Sequence, residues 1–109
     1  MCNNSEQLPL EIMTTLDVIE GKWKIPLVYV LGRAPLRFNA LRRALPGLNQ
    51  NMLALTLREL EAEGVISRTV STEAPLRAEY ALTDRGRRLG SVFTAMYRWA
   101  RGEEIVFGE

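Results

Sequence analysis

Three consecutive amide or amide-like positions, Asn49, Gln50 and Asn51, followed on the same segment by Leu55 and Arg58, are the residues of this 109-residue chain best suited to specific recognition. An amide presents a donor beside an acceptor, so Gln50 or Asn51 can bond bidentately to the edge of adenine. Leu55, if it points outward, suits a thymine methyl; the alternative is that it packs on a neighbouring helix. Arg37, Arg42, Arg43, Arg58 and Arg77 suit phosphate contacts, which set affinity and register without reading sequence. The net charge of +1 hides a segregation: residues 1–20 carry four acids and no base, and residues 21–58 carry seven bases and no acid. Such a local basic patch is what phosphate binding requires, whatever the total.

Other chemistry has little to work with. The chain has no histidine and one cysteine, Cys2, so no internal disulfide, metal cluster or histidine general base is available. No cofactor site, metal site or catalytic constellation is expected. Cys2 is a redox candidate only through an intermolecular bridge, and is otherwise a bystander. No apolar run approaches membrane-spanning length and the polar N-terminus lacks signal-peptide character, so a cytoplasmic protein without membrane contact is expected.

The elements that must position these side chains are readable from spacing. Pro46-Gly47, the capping residue Asn49, the stripe Leu53, Leu57 and Leu60, and the stop at Gly64 mark one helix. Its C-terminal half carries Glu59, Glu61 and Glu63, which oppose the helix macrodipole; a negatively charged partner approached only by the N-terminal half would explain that layout. Phe38, Leu41 and Leu45 predict a short preceding helix, so that 37–64 forms a helix-turn-helix. Residues 65–72 and 77–82 read as the strands of a hairpin, and the unit 65–82 as a wing. Arg77 then meets phosphate or a minor groove, unless it and Arg68 pair with Glu79 across the strands.

Apolar helices are expected at about 9–20 and 83–101, with a short helix over 25–31. Trp23 reads as a core anchor, with Lys22 and Lys24 solvated beside it. The stripe of the first helix (Leu10, Met13, Leu16) and that of the last (Leu89, Val92, Phe93, Met96, Tyr97, Trp99, Ala100) are wider than a closed winged domain needs. Each reads as a dimer surface, the alternative being ordinary core packing. The fold class is mainly α with a small β-hairpin: one winged helix-turn-helix domain over 1–109 with extra N- and C-terminal dimerisation helices. The tail from Gly102 is expected to fray.

Four stretches carry a family likeness in this order: Gly21-Lys22-Trp23-Lys24; Pro35-Leu36-Arg37-Phe38-Asn39-Ala40-Leu41-Arg42-Arg43-Ala44-Leu45-Pro46-Gly47; Leu57-Arg58-Glu59-Leu60-Glu61; and Arg77-Ala78-Glu79-Tyr80-Ala81-Leu82-Thr83. The chain resembles the HxlR-type winged-helix transcriptional regulators, within the wider multiple-antibiotic-resistance-regulator-like group. The resemblance covers roughly residues 9–100 and adds Asn39 to the DNA-contact candidates. It implies a homodimer on double-stranded DNA, at an operator near its own or a neighbouring gene, with a small-molecule, aldehyde or oxidant effector. Redox-sensing members have a cysteine just before the proline that opens the first helix, where this chain has Leu8. Members also open the recognition helix with Ser-Gln-Lys, where this chain has Asn49-Gln50-Asn51. The competing expectation is a winged-helix module for protein contact without specific DNA binding.

Overall fold

The computed structural model describes residues 9–103, so Cys2, Leu8 and the tail beyond Glu103 lie outside the described residues. The element order is α1 (Leu10–Ile19), α2 (Lys24–Leu31), β1 (Leu36–Arg37), α3 (Phe38–Ala44), α4 (Gln50–Ala62), β2 (Ile66–Val70), β3 (Ala78–Leu82), α5 (Asp84–Arg87) and α6 (Gly90–Ala100). The core lies where α2, α3, α4 and the sheet converge, on Leu27, Val28, Leu31, Leu41, Leu53, Leu57, Leu60, Val65, Ile66 and Tyr80. This is a winged helix-turn-helix.

Both ends of α4 are closed by local chemistry. The Asn49 side chain accepts a hydrogen bond from the Met52 backbone N–H at 2.8 Å, satisfying a first-turn donor that the helix itself cannot pair. At the other end the Val65 N–H donates to the Leu60 carbonyl and the Gly64 N–H to the Glu61 carbonyl, each at 3.0 Å. That Schellman closure needs a left-handed residue, and Gly64 supplies it with φ of 75°. The stripe Leu53, Leu57 and Leu60 is completely buried, and Thr56 joins it by donating its hydroxyl to the Met52 carbonyl.

The expected hairpin is present as β2 and β3, with differences in detail. The sheet has three strands in the order β1-β3-β2, all antiparallel, rather than a hairpin alone. Leu36 and Arg37 pair with Tyr80 and Glu79, while β2 runs from Ile66 opposite Leu82 to Val70 opposite Ala78. The residue expected to open the third helix, Arg37, is thus the strand residue that caps it. The expected single helix over 83–101 is divided at Arg88–Leu89. Both residues keep right-handed helical dihedrals, but the Leu89 N–H donates to the Gly86 carbonyl three residues back, a tightened turn of 3₁₀ type. The physical reason is Gly86. Its Cα lies so close to Val65, the residue before β2, that an added Cβ would stand 2.1 Å from the Val65 carbonyl oxygen, and this approach fixes α5 before α6 begins.

The terminal helices are poorly covered. Val18 is the one buried residue of α1, and α6 has none. Gly102 and Glu103, expected to fray, instead close α6: the Glu103 N–H donates to the Arg98 carbonyl at 3.0 Å, and its carboxylate pairs with Arg98 and Arg101.

Candidate nucleic-acid interface

The turn between α3 and α4 is pinned from below. Leu45 and Leu48 are buried on either side of Pro46-Gly47, the Leu48 N–H donates to the Leu45 carbonyl, and the Trp23 ring packs under Gly47. Trp23 is therefore a core anchor, as expected. Lys22 is more than solvated: its ammonium stands 5.4 Å from the centroid of the Trp23 ring, a cation–π distance.

With the turn fixed, α4 presents Gln50, Asn51, Leu55 and Arg58 to solvent. Leu55 is 43% exposed, which decides between its two readings in favour of the outward one. Asn49 is also exposed but its side-chain oxygen is engaged as the cap, leaving Gln50 and Asn51 as the freer amides. Arg37, Asn39, Arg42, Arg43 and Arg77 are exposed as well.

Pairing of β1 with β3 does something that spacing did not reveal. It sets Arg37, at the mouth of α3, beside the base of the wing, so that Arg37, Asn39, Arg43 and Arg77 line one recess with Pro35, Leu36, Phe38, Ala40, Ala78 and Glu79. Glu79 is the single acid in that lining. It forms no ion pair with the arginines: the ion pairs among the described residues join Arg87 to Asp84, and Arg98 and Arg101 to Glu103. The cross-strand pairing of Arg68 or Arg77 with Glu79 is thus not made. Guanidinium groups held without an internal carboxylate are available to an external anion, and their planar forks match phosphate oxygens.

Arg77 is held by a residue that sequence reasoning passed over. Its backbone N–H donates to Ser71 Oγ at 3.2 Å, and its carbonyl accepts from the Ser71 N–H at 2.9 Å. Ser71 Oγ in turn donates to the Glu73 carbonyl at 3.1 Å. The wing loop therefore closes on itself and fixes where Arg77 leaves the sheet. A serine after a β-branched strand was the available signal, since such hydroxyls bond local backbone in turns.

The candidate dimer residues fall into two groups. Leu10, Met13 and Leu16 of α1, and Met96, Tyr97, Trp99 and Ala100 of α6, are exposed, Leu10 to 76% and Trp99 to 79%. Leu89 and Phe93 pack against the core of their own chain, and Val92 is half-buried.

A recognition-type helix fixed on a buried turn, flanked by a wing and an unpaired arginine cluster, defines a DNA-binding winged-helix protein of the transcription-regulator class. The chain belongs to the HxlR-like helix-turn-helix family, whose model matches residues 18–104. It is 44% identical over 103 residues to the HTH-type transcriptional regulator YybR of Bacillus subtilis, spanning 94% of this chain and 81% of that one. YdeP of the same organism is 48% identical over 94 residues, 86% of this chain and 72% of that one. Among solved structures, the redox regulator HypR in its reduced form superposes with a TM-score of 0.79 at 43% identity, covering 84% and 91% of the two chains. The reduced form of the transcriptional regulator YodB from B. subtilis gives 0.82 at 30% identity, covering 94% and 97%. This chain is accordingly a DNA-binding transcriptional regulator of HxlR type.

Proposed function

We propose that the protein acts as a homodimer on an imperfect palindromic operator, each protomer inserting the N-terminal half of α4 into a major groove. Gln50 and Asn51 read base edges, Leu55 meets a thymine methyl, and Arg37, Arg42, Arg43, Arg58 and Arg77 hold phosphates, with Asn39 beside them. Two-fold symmetry then sets the half-sites about one helical turn, roughly 34 to 36 Å, apart. The observation that carries the reading is the division of the surface. Exposed amides and unpaired arginines are carried by α3, α4 and the wing, and exposed apolar side chains by the terminal helices, of which α6 has no buried residue.

Leu10, Met13 and Leu16 of α1, with Met96, Tyr97, Trp99 and Ala100 of α6, form the dimer surface, because exposed apolar side chains in such number need a partner. Leu89, Val92 and Phe93 join α6 to the domain beneath. The effector enters the groove of about 930 Å³ between α2 and α6, lined by Ile25, Val28, Tyr29, Phe93 and Met96 among others. The site of action is cytoplasmic DNA; among the described residues no helix is long and apolar enough to cross a membrane.

The test is a titration of purified protein against a labelled duplex from upstream of its own gene, beside a scrambled duplex, at low and moderate salt. Tighter, saturable binding to the upstream duplex supports the operator reading. Equal and steeply salt-dependent binding to both leaves a basic patch without base reading. Failure to bind either duplex favours a protein-contact module.

A further inference from the structure

The three glutamates in the C-terminal half of α4 set a problem that helix stability does not solve, because acidic side chains there add to the negative end of the macrodipole. The cation that offsets them comes from another element. Arg85 Nε, on α5, donates to the carbonyl oxygen of Glu63, the C-cap of α4, at 3.0 Å. The same short element makes two further attachments. Thr83 Oγ1 lies 2.6 Å from the Gly64 carbonyl oxygen and 3.1 Å from that of Val65, and it accepts from the Gly86 N–H at 3.0 Å. Gly86 then lies against Val65 more closely than any side chain would allow.

Beyond α5 the backbone passes into α6 through the tightened turn at Arg88–Leu89. The Arg88 N–H donates to the Asp84 carbonyl at 3.2 Å, Leu89 to Gly86 at 3.1 Å and Phe93 to Leu89 at 3.0 Å. The C-terminal end of α4 is therefore tied to α5, and through that turn and the packing of Leu89 and Phe93 on the core to α6, which carries the exposed Met96, Tyr97 and Trp99.

We propose that Arg85 is a positioning residue that sets the separation of the two recognition helices in the dimer, by locking the C-terminal end of α4 to the α5–α6 segment. This rests on the homodimer reading above. Arg85 touches no base in that arrangement; it acts through the orientation of α4, and its effect is on half-site spacing rather than on base identity.

The experiment starts from the operator selected by wild-type protein from random duplexes. Affinities are then measured for that operator, for versions with the spacer lengthened or shortened a base pair at a time, and for an isolated half-site, using wild-type protein, Arg85→Ala and Arg85→Lys. Arg85 is exposed, and thermal unfolding checks that each variant folds. The expected result is that Arg85→Ala lowers the preference for the native spacing by about fivefold, the lower end of coupling between sites in one protein. Half-site affinity stays unchanged, and Arg85→Lys, which keeps a cationic donor, restores most of the preference. An undiminished spacing preference in Arg85→Ala overturns the proposal, as does an equal loss on every duplex including the half-site. If wild-type protein itself shows no spacing preference, the homodimer reading fails first, and the positioning role with it.

Discussion

Replacing Arg77 by alanine separates phosphate binding from base reading. Five exposed arginines per protomer, at 37, 42, 43, 58 and 77, have no carboxylate partner among the described residues, so a dimer offers ten. Counterion release makes the logarithm of affinity fall against the logarithm of salt with a slope of about −0.9 per phosphate neutralised. Full engagement therefore gives a slope of about −9, and a fall in affinity of about 10⁵ between 50 and 200 mM salt. Arg77→Ala removes one contact from each protomer and flattens the slope to about −7. The backbone at this position is held by Ser71 through two hydrogen bonds, so truncation leaves the wing in place and removes the charge alone. Fluorescence anisotropy over a salt series, on operator and on scrambled duplex, measures both slopes. Arg77→Ala weakens binding to both duplexes alike if the side chain holds phosphate. An unchanged slope refutes the assignment, and a loss confined to the operator moves Arg77 to the base-reading group.

Asn51→Ala has the opposite signature: discrimination falls by about 1 to 3 kcal/mol at one position per half-site, while scrambled DNA binds as before; equal weakening on both duplexes would remove Asn51 from the reading set. Trp99→Ala leaves the stability of the protomer within about 0.5 kcal/mol, since the ring is exposed in the single chain. It weakens dimerisation by about 2 kcal/mol, or roughly thirtyfold, if the ring anchors the interface. Sedimentation over a dilution series reads this, and an unchanged dissociation constant excludes that role. Gly86→Ala places a Cβ 2.1 Å from the Val65 carbonyl oxygen and 3.1 Å from its carbonyl carbon, backbone atoms that cannot yield cheaply. The cost is about 1 to 3 kcal/mol and the thermal midpoint falls by at least about 4 °C; a wild-type midpoint would show that α5 does not press on Val65.

The sequence carried α4 almost to the residue because its signals are local. Asn49 bonds within its own first turn, Gly64 closes its own last turn, and Leu53, Leu57 and Leu60 lie on a single face. It did not carry β1, since two residues cannot show an alternation; Leu36 and Arg37 are a strand only because Tyr80 and Glu79 lie opposite. The division of the last helix was hidden for a related reason. Periodicity senses the angle per residue, and the tightened turn at Arg88–Leu89 keeps helical dihedrals while changing the hydrogen-bond partner. The same limit applies to the interface. Helical angle was enough to say that Asn51, Leu55 and Arg58 face away from the core, but not that Arg37 and Arg77, far apart in the chain, line one recess. That meeting is a consequence of strand pairing.

The charge gradient along α4 now has a physical account at each end. The N-terminal half carries amides and no acid, and its unpaired N–H groups form the positive end of the helix, the end that favours approach of an anion. The C-terminal half carries Glu59, Glu61 and Glu63, which repel phosphate and oppose insertion from that direction. An isolated helix built this way would fray at its acidic end, and the winged domain prevents it by supplying the Arg85 guanidinium and the Thr83 hydroxyl from the next element. One helix can therefore be electrostatically polarised for docking without losing its last turn, because the destabilising charges are met by the segment that also leads to α6.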